Sequence, residues 1–251
     1  MKERKQTILR MLAERGDVSV AEISRDLRVS AVTARSDLAS LADEGFVVRT
    51  RGGASPAFHP SIIERQRRGS ERKNRIAKRA AELVKDGDSI MIEAGTTTAF
   101  VGKHLFGRRD LHIVTNSTLL LPYARANPSI ELTVTGGAFR PLTESFVGPI
   151  ALHDLAQFHV RTAIIGTDGF TVEHGLTTHL AEGAEIVRKM AAQAERVVLV
   201  ADSSKFGRTG FALVLPIGSL DILITDSELH LEEIRQIEER GVSVITVPAG
   251  E

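Results

Sequence analysis

The chain has no cysteine, no tryptophan and a single tyrosine among its 251 residues. Without cysteine there is no disulfide framework, no thiolate metal site and no cysteine nucleophile, a composition suited to a reducing compartment. No run of eighteen uninterrupted apolar residues occurs, and Met1 is followed by KERKQ rather than an apolar signal core. Neither a membrane helix nor secretion is expected, and the protein is placed in the cytoplasm. His153, His159, His174 and His179 lack metal-ligand spacing, and no histidine is placed to activate Ser145. No catalytic residue, metal or cofactor is assigned.

What is present is ordinary globular sequence, 42% apolar and 25% charged, long enough for one or two domains. The zero net charge hides an asymmetry. Residues 1–79 hold 18 Lys and Arg against 10 Asp and Glu, and the remainder holds 14 against 22. A basic first third points to a polyanion, with a solvated helix face as the alternative.

Residues 3–15 place Ile8, Leu9 and Leu12 on one helical stripe that stops at Gly16. Two further short helices follow, with Ser19 and Ser30 at the positions where N-caps are expected. After Gly45, FVVRTRGGA reads as a hairpin, so the pattern is a winged helix-turn-helix whose third helix enters the major groove. Helical periodicity buries Ala34, Leu38, Leu41 and Ala42 and turns Val32, Thr33, Ser36 and Ser40 outward. Arg35 lies on the flank, with Arg49, Arg51, Gly52 and Gly53 in the wing. Ser19, Ser30, Val32, Thr33, Arg35, Ser36, Arg49, Arg51, Gly52 and Gly53 form the expected DNA-contacting set. The domain limits read as 1–55 for the DNA-binding head, 56–72 for a linker and 73–251 for an effector-binding and oligomerisation domain. The basic 64–85 stretch reads as one connecting helix.

From residue 89, apolar runs recur between helical segments: SIMIEA, LHIVTN, IELTVTGG, TAIIGTDG, RVVLVADSS, DILITD and VSVITV. Runs apolar on consecutive residues suit strands covered on both faces, which predicts a largely parallel α/β sheet with ligands beyond its carboxyl ends. Polar residues cluster at those ends. Gly95, Thr96, Thr97 and Thr98 would open a helix whose free amides and hydroxyls suit a phosphate, although neither the P-loop nor the GxGxxG pattern is present; simple capping is the alternative. A carboxylate at Glu93 about 4 Å from that phosphate would be repelled by roughly 4 kcal/mol at an effective dielectric of 20. Glu93 is therefore assigned to a sugar hydroxyl, with Asn116, Glu144 and Asp168 as further hydroxyl partners and Lys205 as the counter-charge.

VSVAEISRDLRVSAVTARSDLASLADEGFVVRTRGGA resembles the N-terminal module of the DeoR family of bacterial transcriptional repressors. EAGTTT, TNS, TGG, ESFVGP, GTDGF, HGLTTH and ADSSKFGR, in that order, are similar to the sensor domain of the same family. The resemblance implies a sensor fold like that of ribose-5-phosphate isomerases and CoA-transferase relatives, a phosphorylated sugar as effector, and release from operator DNA when it binds. Carried over by position, the pocket is Glu93, Gly95, Thr96, Thr97, Thr98, Asn116, Ser117, Gly136, Gly137, Glu144, Asp168 and Lys205. Three positions depart from the family pattern. Ser36 stands where a second arginine is usual, Arg51 where a histidine is common, and Glu93 where aspartate is usual. The expected function is a repressor of a carbohydrate catabolic operon acting as a dimer or tetramer. The alternative is a sugar-phosphate isomerase-like enzyme carrying an accessory DNA-binding domain.

Overall fold

The computed structural model describes residues 3–44, 46–56 and 60–250. Of the expected elements, Gly45 and positions 57–59 of the linker lie outside the described residues. The chain divides into two compact units, Met1–Arg68 and Gly69–Glu251.

In the first unit, α1 (Glu3–Arg15), α2 (Val20–Leu27) and α3 (Ala31–Asp43) are joined by a small antiparallel sheet in the order β1 (Val18–Ser19), β3 (Gly53–Pro56), β2 (Val47–Thr50). A fourth helix, α4 (Pro60–Arg67), packs against α1 and adds Ile63 to the core of Ile8, Leu9, Leu12, Ile23, Ala34, Leu38 and Leu41. The winged helix-turn-helix expected from periodicity is present. Ser19 closes the start of α2 in a reciprocal capping box with Glu22, and Ser30 accepts the Thr33 amide at 3.0 Å to start α3. Between the two helices Arg28 adopts a left-handed conformation, φ 51°, and so turns the chain. Gly53 is obligatory for a different reason: a Cβ there would stand 2.2 Å from the Val18 carbonyl oxygen of the neighbouring strand.

The second unit begins with α5 (Ser70–Ala81), β4 (Ser89–Ile92), α6 (Thr96–His104), β5 (Leu111–Thr115), α7 (Leu121–Ala126) and β6 (Ile130–Val134). The 64–85 stretch is thus not one helix. It is broken at Arg68–Gly69, where Gly69 takes φ 64°, a conformation glycine adopts at little strain. A hairpin of β7 (Ala138–Arg140) and β8 (Ser145–Val147) leads to α8 (Pro149–Leu155) and β9 (Val160–Ile165). Then come β10 (Gly169–Thr171), β11 (Gly175–Thr178), α9 (Ala181–Ala192), β12 (Ala194–Val200), β13 (Ala212–Leu213), β14 (Ile222–Asp226), α10 (Leu231–Glu238) and β15 (Ser243–Val247).

Seven of these strands form one wholly parallel sheet in the order β15-β14-β12-β9-β4-β5-β6. Alternate residues supply opposite faces. Ile90, Ile92, Ile164, Val198 and Ile224 pack under α5 and α6, whereas Met91, Ala163, Ile165, Leu199 and Leu223 join the core with α8 and α9. Burial on both faces explains the continuous apolar runs. Chain order runs outward in both directions from the β4–β9 pair, so the topological switch point falls between those two strands.

Candidate functional site

The fold determines where the strand-end residues go. Because β4, β5, β6, β9 and β12 are parallel, Glu93–Thr98, Asn116–Ser117, Gly136–Gly137, Gly166–Gly169 and Asp202–Lys205 all leave the sheet at its carboxyl rim. The threonine turn follows β4, at the switch point itself. Across that point the Gly166 amide donates to Glu93 Oε2 at 3.1 Å, and on the other side the Ala94 amide donates to Asn116 Oδ1 at 3.0 Å. Side chains therefore tie the loops after β4, β5 and β9 to one another.

The turn itself has open donors. Gly95 is the N-cap of α6 and supplies no side-chain acceptor. Its carbonyl accepts the Thr98 hydroxyl at 2.9 Å and the Ala99 amide at 3.0 Å. Thr98 is fully buried, so its hydroxyl shapes the turn, while Thr96 and Thr97 are half-buried at the rim. Within the described residues the Thr97 hydroxyl makes no hydrogen bond. An uncapped helix end with two flanking hydroxyls presents a partial positive charge and several donors, which is what a small oxyanion requires.

Other expected pocket residues are engaged within the protein. Asn116 is buried with both ends of its amide in use, the second being Nδ2 donating to the Phe146 carbonyl at 3.1 Å. Ser117 accepts the Leu119 amide and so caps the short helix that follows. Glu144 is buried in a left-handed conformation, φ 51°, where its carboxylate accepts the Thr118 hydroxyl. Gly137 takes φ 121°, and a Cβ there would lie 2.6 Å from the Val147 carbonyl oxygen. The neighbouring Gly136 amide donates to Asp154 at 2.8 Å. These contacts shape the rim, and the Gly136–Gly137 pair is bonded to α8 rather than to the threonine turn.

Asp168 and Lys205 face each other electrostatically. Burial pushes the Asp168 carboxyl upward, but the His179 amide, the Thr178 hydroxyl and the Lys205 charge outweigh it and hold the group below the ordinary carboxylate range. The two hydrogen bonds, 2.9 Å and 2.7 Å, both fall on Oδ2.

Sequence reasoning missed two cations on the first turn of α5. Lys73 is 7% exposed, and its Nζ reaches the Thr96 hydroxyl at 3.4 Å. Arg72 spans Ser203 Oγ at 3.3 Å, Asp226 Oδ2 at 3.7 Å and Glu228 Oε1 at 2.7 Å. A basic helix start resembles a solvated face in sequence, and only the tertiary fold distinguishes the two. Two concavities lie elsewhere, one beside Val172, Leu215 and Arg240 and the other beside His112, Glu131 and Phe158, and neither includes a candidate residue.

In the first unit, Val32, Arg35 and Ser36 are exposed and Thr33 is half-buried, so α3 turns toward solvent the face expected to meet DNA. Arg49, Arg51 and Gly52 are exposed in the wing, whereas Gly53 is buried. The hydroxyls of Ser19 and Ser30 are occupied by their caps, and the Ser30 and Thr33 hydroxyls lie 2.8 Å apart. Ser40 does not face outward freely, because it is covered by Lys5, which also pairs with Glu44 at 2.7 Å. On the inner side, Asp37 is buried and receives a two-pronged bond from Arg4, with Nη2 at 2.9 Å from Oδ1.

Residues 4–57 match the DeoR-like helix-turn-helix domain, and residues 68–227 match the DeoR C-terminal sensor domain. The HTH-type transcriptional repressor GlcR of Bacillus subtilis strain 168 is 34% identical over 253 residues, covering 99% of this chain and 97% of its own length. The HTH-type transcriptional regulator GlpR of Haloferax volcanii is 34% identical over 247 residues, covering 97% of this chain and 96% of its own. Among solved structures, ribose 5-phosphate isomerase from Plasmodium falciparum aligns over 55% of this chain and 53% of its own, with 16% identity and a TM-score of 0.40.

Proposed function

As the chain belongs to the DeoR family of transcriptional regulators, we propose that it represses a carbohydrate catabolic operon and leaves its operator when a phosphorylated sugar or polyol occupies the sensor unit. The observation that carries this reading is the uncapped start of α6 at the switch point of the sheet, with the Thr96 and Thr97 hydroxyls beside it. The phosphate docks on the amides of the Gly95 to Thr98 turn and on the hydroxyls of Thr96 and Thr97. Asp168 accepts a sugar hydroxyl beside Lys205, and any free acceptor capacity of Glu93 and Glu144 serves the same purpose. Asn116, Ser117, Gly136 and Gly137 hold the rim in shape.

In the first unit, the exposed Val32, Arg35 and Ser36 and the half-buried Thr33 meet base edges and phosphates, and Arg49, Arg51 and Gly52 bring the wing to the backbone. Ser19, Ser30 and Gly53 position these elements. One nearly neutral recognition helix makes few base contacts, whereas specific sites exceed non-specific ones by about 4–10 kcal/mol. Two or more copies therefore act together on repeated or palindromic half-sites.

The test pairs a thermal-shift screen of C3–C7 sugar and polyol monophosphates with binding to DNA from the gene's own upstream region. A stabilising ester that also weakens salt-sensitive DNA binding supports the reading. A ligand at a hundredfold excess over its dissociation constant raises stability by about 2.7 kcal/mol. No response to any member of the screen overturns the sugar-phosphate assignment.

The isomerase alternative rests on the charge interaction of Asp168 with Lys205, an acid and a cation on loops that leave the same rim as the threonine turn. A carboxylate held below its ordinary range is a weaker base, which favours binding over proton abstraction. Enzyme-like turnover of an aldose or ketose phosphate would reverse that preference.

A further inference from the structure

The first turn of α5 touches two different parts of the rim. Lys73 reaches the hydroxyl of Thr96 in the turn after β4. Its neighbour Arg72 binds Ser203, in the loop after β12 that also carries Lys205, together with Asp226 at the end of β14 and Glu228 just beyond it. Asp226 is fully buried and bonded to Ser203 twice, by the amide and by the hydroxyl, each at 2.8 Å. The 202–205 loop thus depends on a carboxylate that Arg72 helps neutralise, and a buried carboxylate deprived of its cation is strongly disfavoured. In sequence, α5 starts at Ser70, directly after the boundary at Arg68–Gly69, so the chain enters the sensor unit through this turn.

We propose that Arg72 and Lys73 are positioning residues that couple occupancy of the rim to the connector: Lys73 registers the anion at the threonine turn, and Arg72 holds the Lys205 loop in register with it. This rests on the sugar-phosphate reading and adds its route of regulation. The physical requirement is differential affinity. A ligand shifts a two-state connector only if it contacts the two arrangements unequally, and a buried ammonium beside the anion provides that inequality at α5 itself. Arg72 ties the second loop to α5, because its guanidinium bonds partners at the ends of β12 and β14 at once, while Lys73 on the same helical turn reaches the first loop.

The experiment uses the full-length protein, its upstream DNA and the sugar ester giving the largest thermal shift with wild type, alongside inorganic phosphate. Lys73→Met should lower affinity for both anions by about tenfold or more, and Lys73→Arg should restore most of it. Arg72→Gln should keep ester affinity within about threefold while losing most of the ester-driven release from DNA, a coupling that commonly amounts to about 5–150-fold. Glu228→Gln disturbs the same fork at a half-exposed partner and should produce the same separation to a smaller extent, which guards against Arg72→Gln failing to fold. Wild-type affinity in Lys73→Met, or wild-type release in both Arg72→Gln and Glu228→Gln, overturns the inference and leaves the sugar-phosphate reading standing. Wild type unresponsive to every ester and to phosphate overturns both.

Discussion

The two units finish the N-terminal ends of their key helices in opposite ways. In the first, Ser19 and Ser30 close α2 and α3 with their own oxygens. In the second, α6 starts at a glycine that offers no side-chain acceptor. Opposite solutions fit opposite targets. DNA is an extended polyanion best met by cations standing out from the surface, and the exposure of Arg35, Arg49 and Arg51 fits the proposed contact with it. A single small anion is better held by converging backbone dipoles in a partly desolvated recess, which requires that no side chain already occupies the helix end. The same local chemistry, hydroxyl residues at a helix start, thus stabilises structure in one unit and is left available in the other.

Gly137→Ala should disturb this contrast most, through the second unit alone. A positive φ and a backbone oxygen 2.6 Å from the new Cβ together make a loss of about 3 kcal/mol the expected outcome. Thermal unfolding followed by hydrogen exchange would show the loss confined to the β6–β8 region. Next is Arg35→Ala, expected to weaken operator binding by about 1–3 kcal/mol per head and to leave the thermal shift with a sugar phosphate unchanged. Thr97→Val should do the reverse: ester affinity falls by about 1 kcal/mol while DNA binding in the absence of ester is retained. Equal impairment of both activities by both substitutions would end the division of labour. The smallest effect concerns acid stability. Asp168 titrates below its ordinary value of 3.8, so the stability it contributes is fully present above that value and fades as the pH falls through the lower folded-state value. Asp168→Asn should flatten the acid limb of the sensor unit's melting curve below about pH 4.

How much of this was legible in the sequence depended on the range of the interaction. All seven apolar runs became strands of one sheet, because burial on both faces writes itself into consecutive residues. The recognition helix showed its buried face through periodicity, with Ala34, Leu38 and Leu41 inside as expected. Polar pairings left no such trace. Arg4–Asp37 joins residues 33 apart, Asn116 bridges Ala94 and Phe146, and Arg72 reaches across more than 130 positions to Ser203. Nothing periodic marks them, and the partner of each stays hidden until the fold brings it near. The β7–β8 and β10–β11–β13 pairings were likewise hidden, since two- to four-residue strands are too short for alternation to register. The break between α4 and α5 did have a signal, the glycine in RRGS, which the surrounding basic run obscured.

The uncapped start of α6 also makes the protein its own occupancy gauge. Amide protons of Thr96 and Thr97 that lack an internal acceptor should trade with deuterium rapidly in the empty protein and slow sharply once an oxyanion sits upon them. Mass spectrometry of the peptide spanning that turn would then rank candidate metabolites directly, before any operator has been mapped.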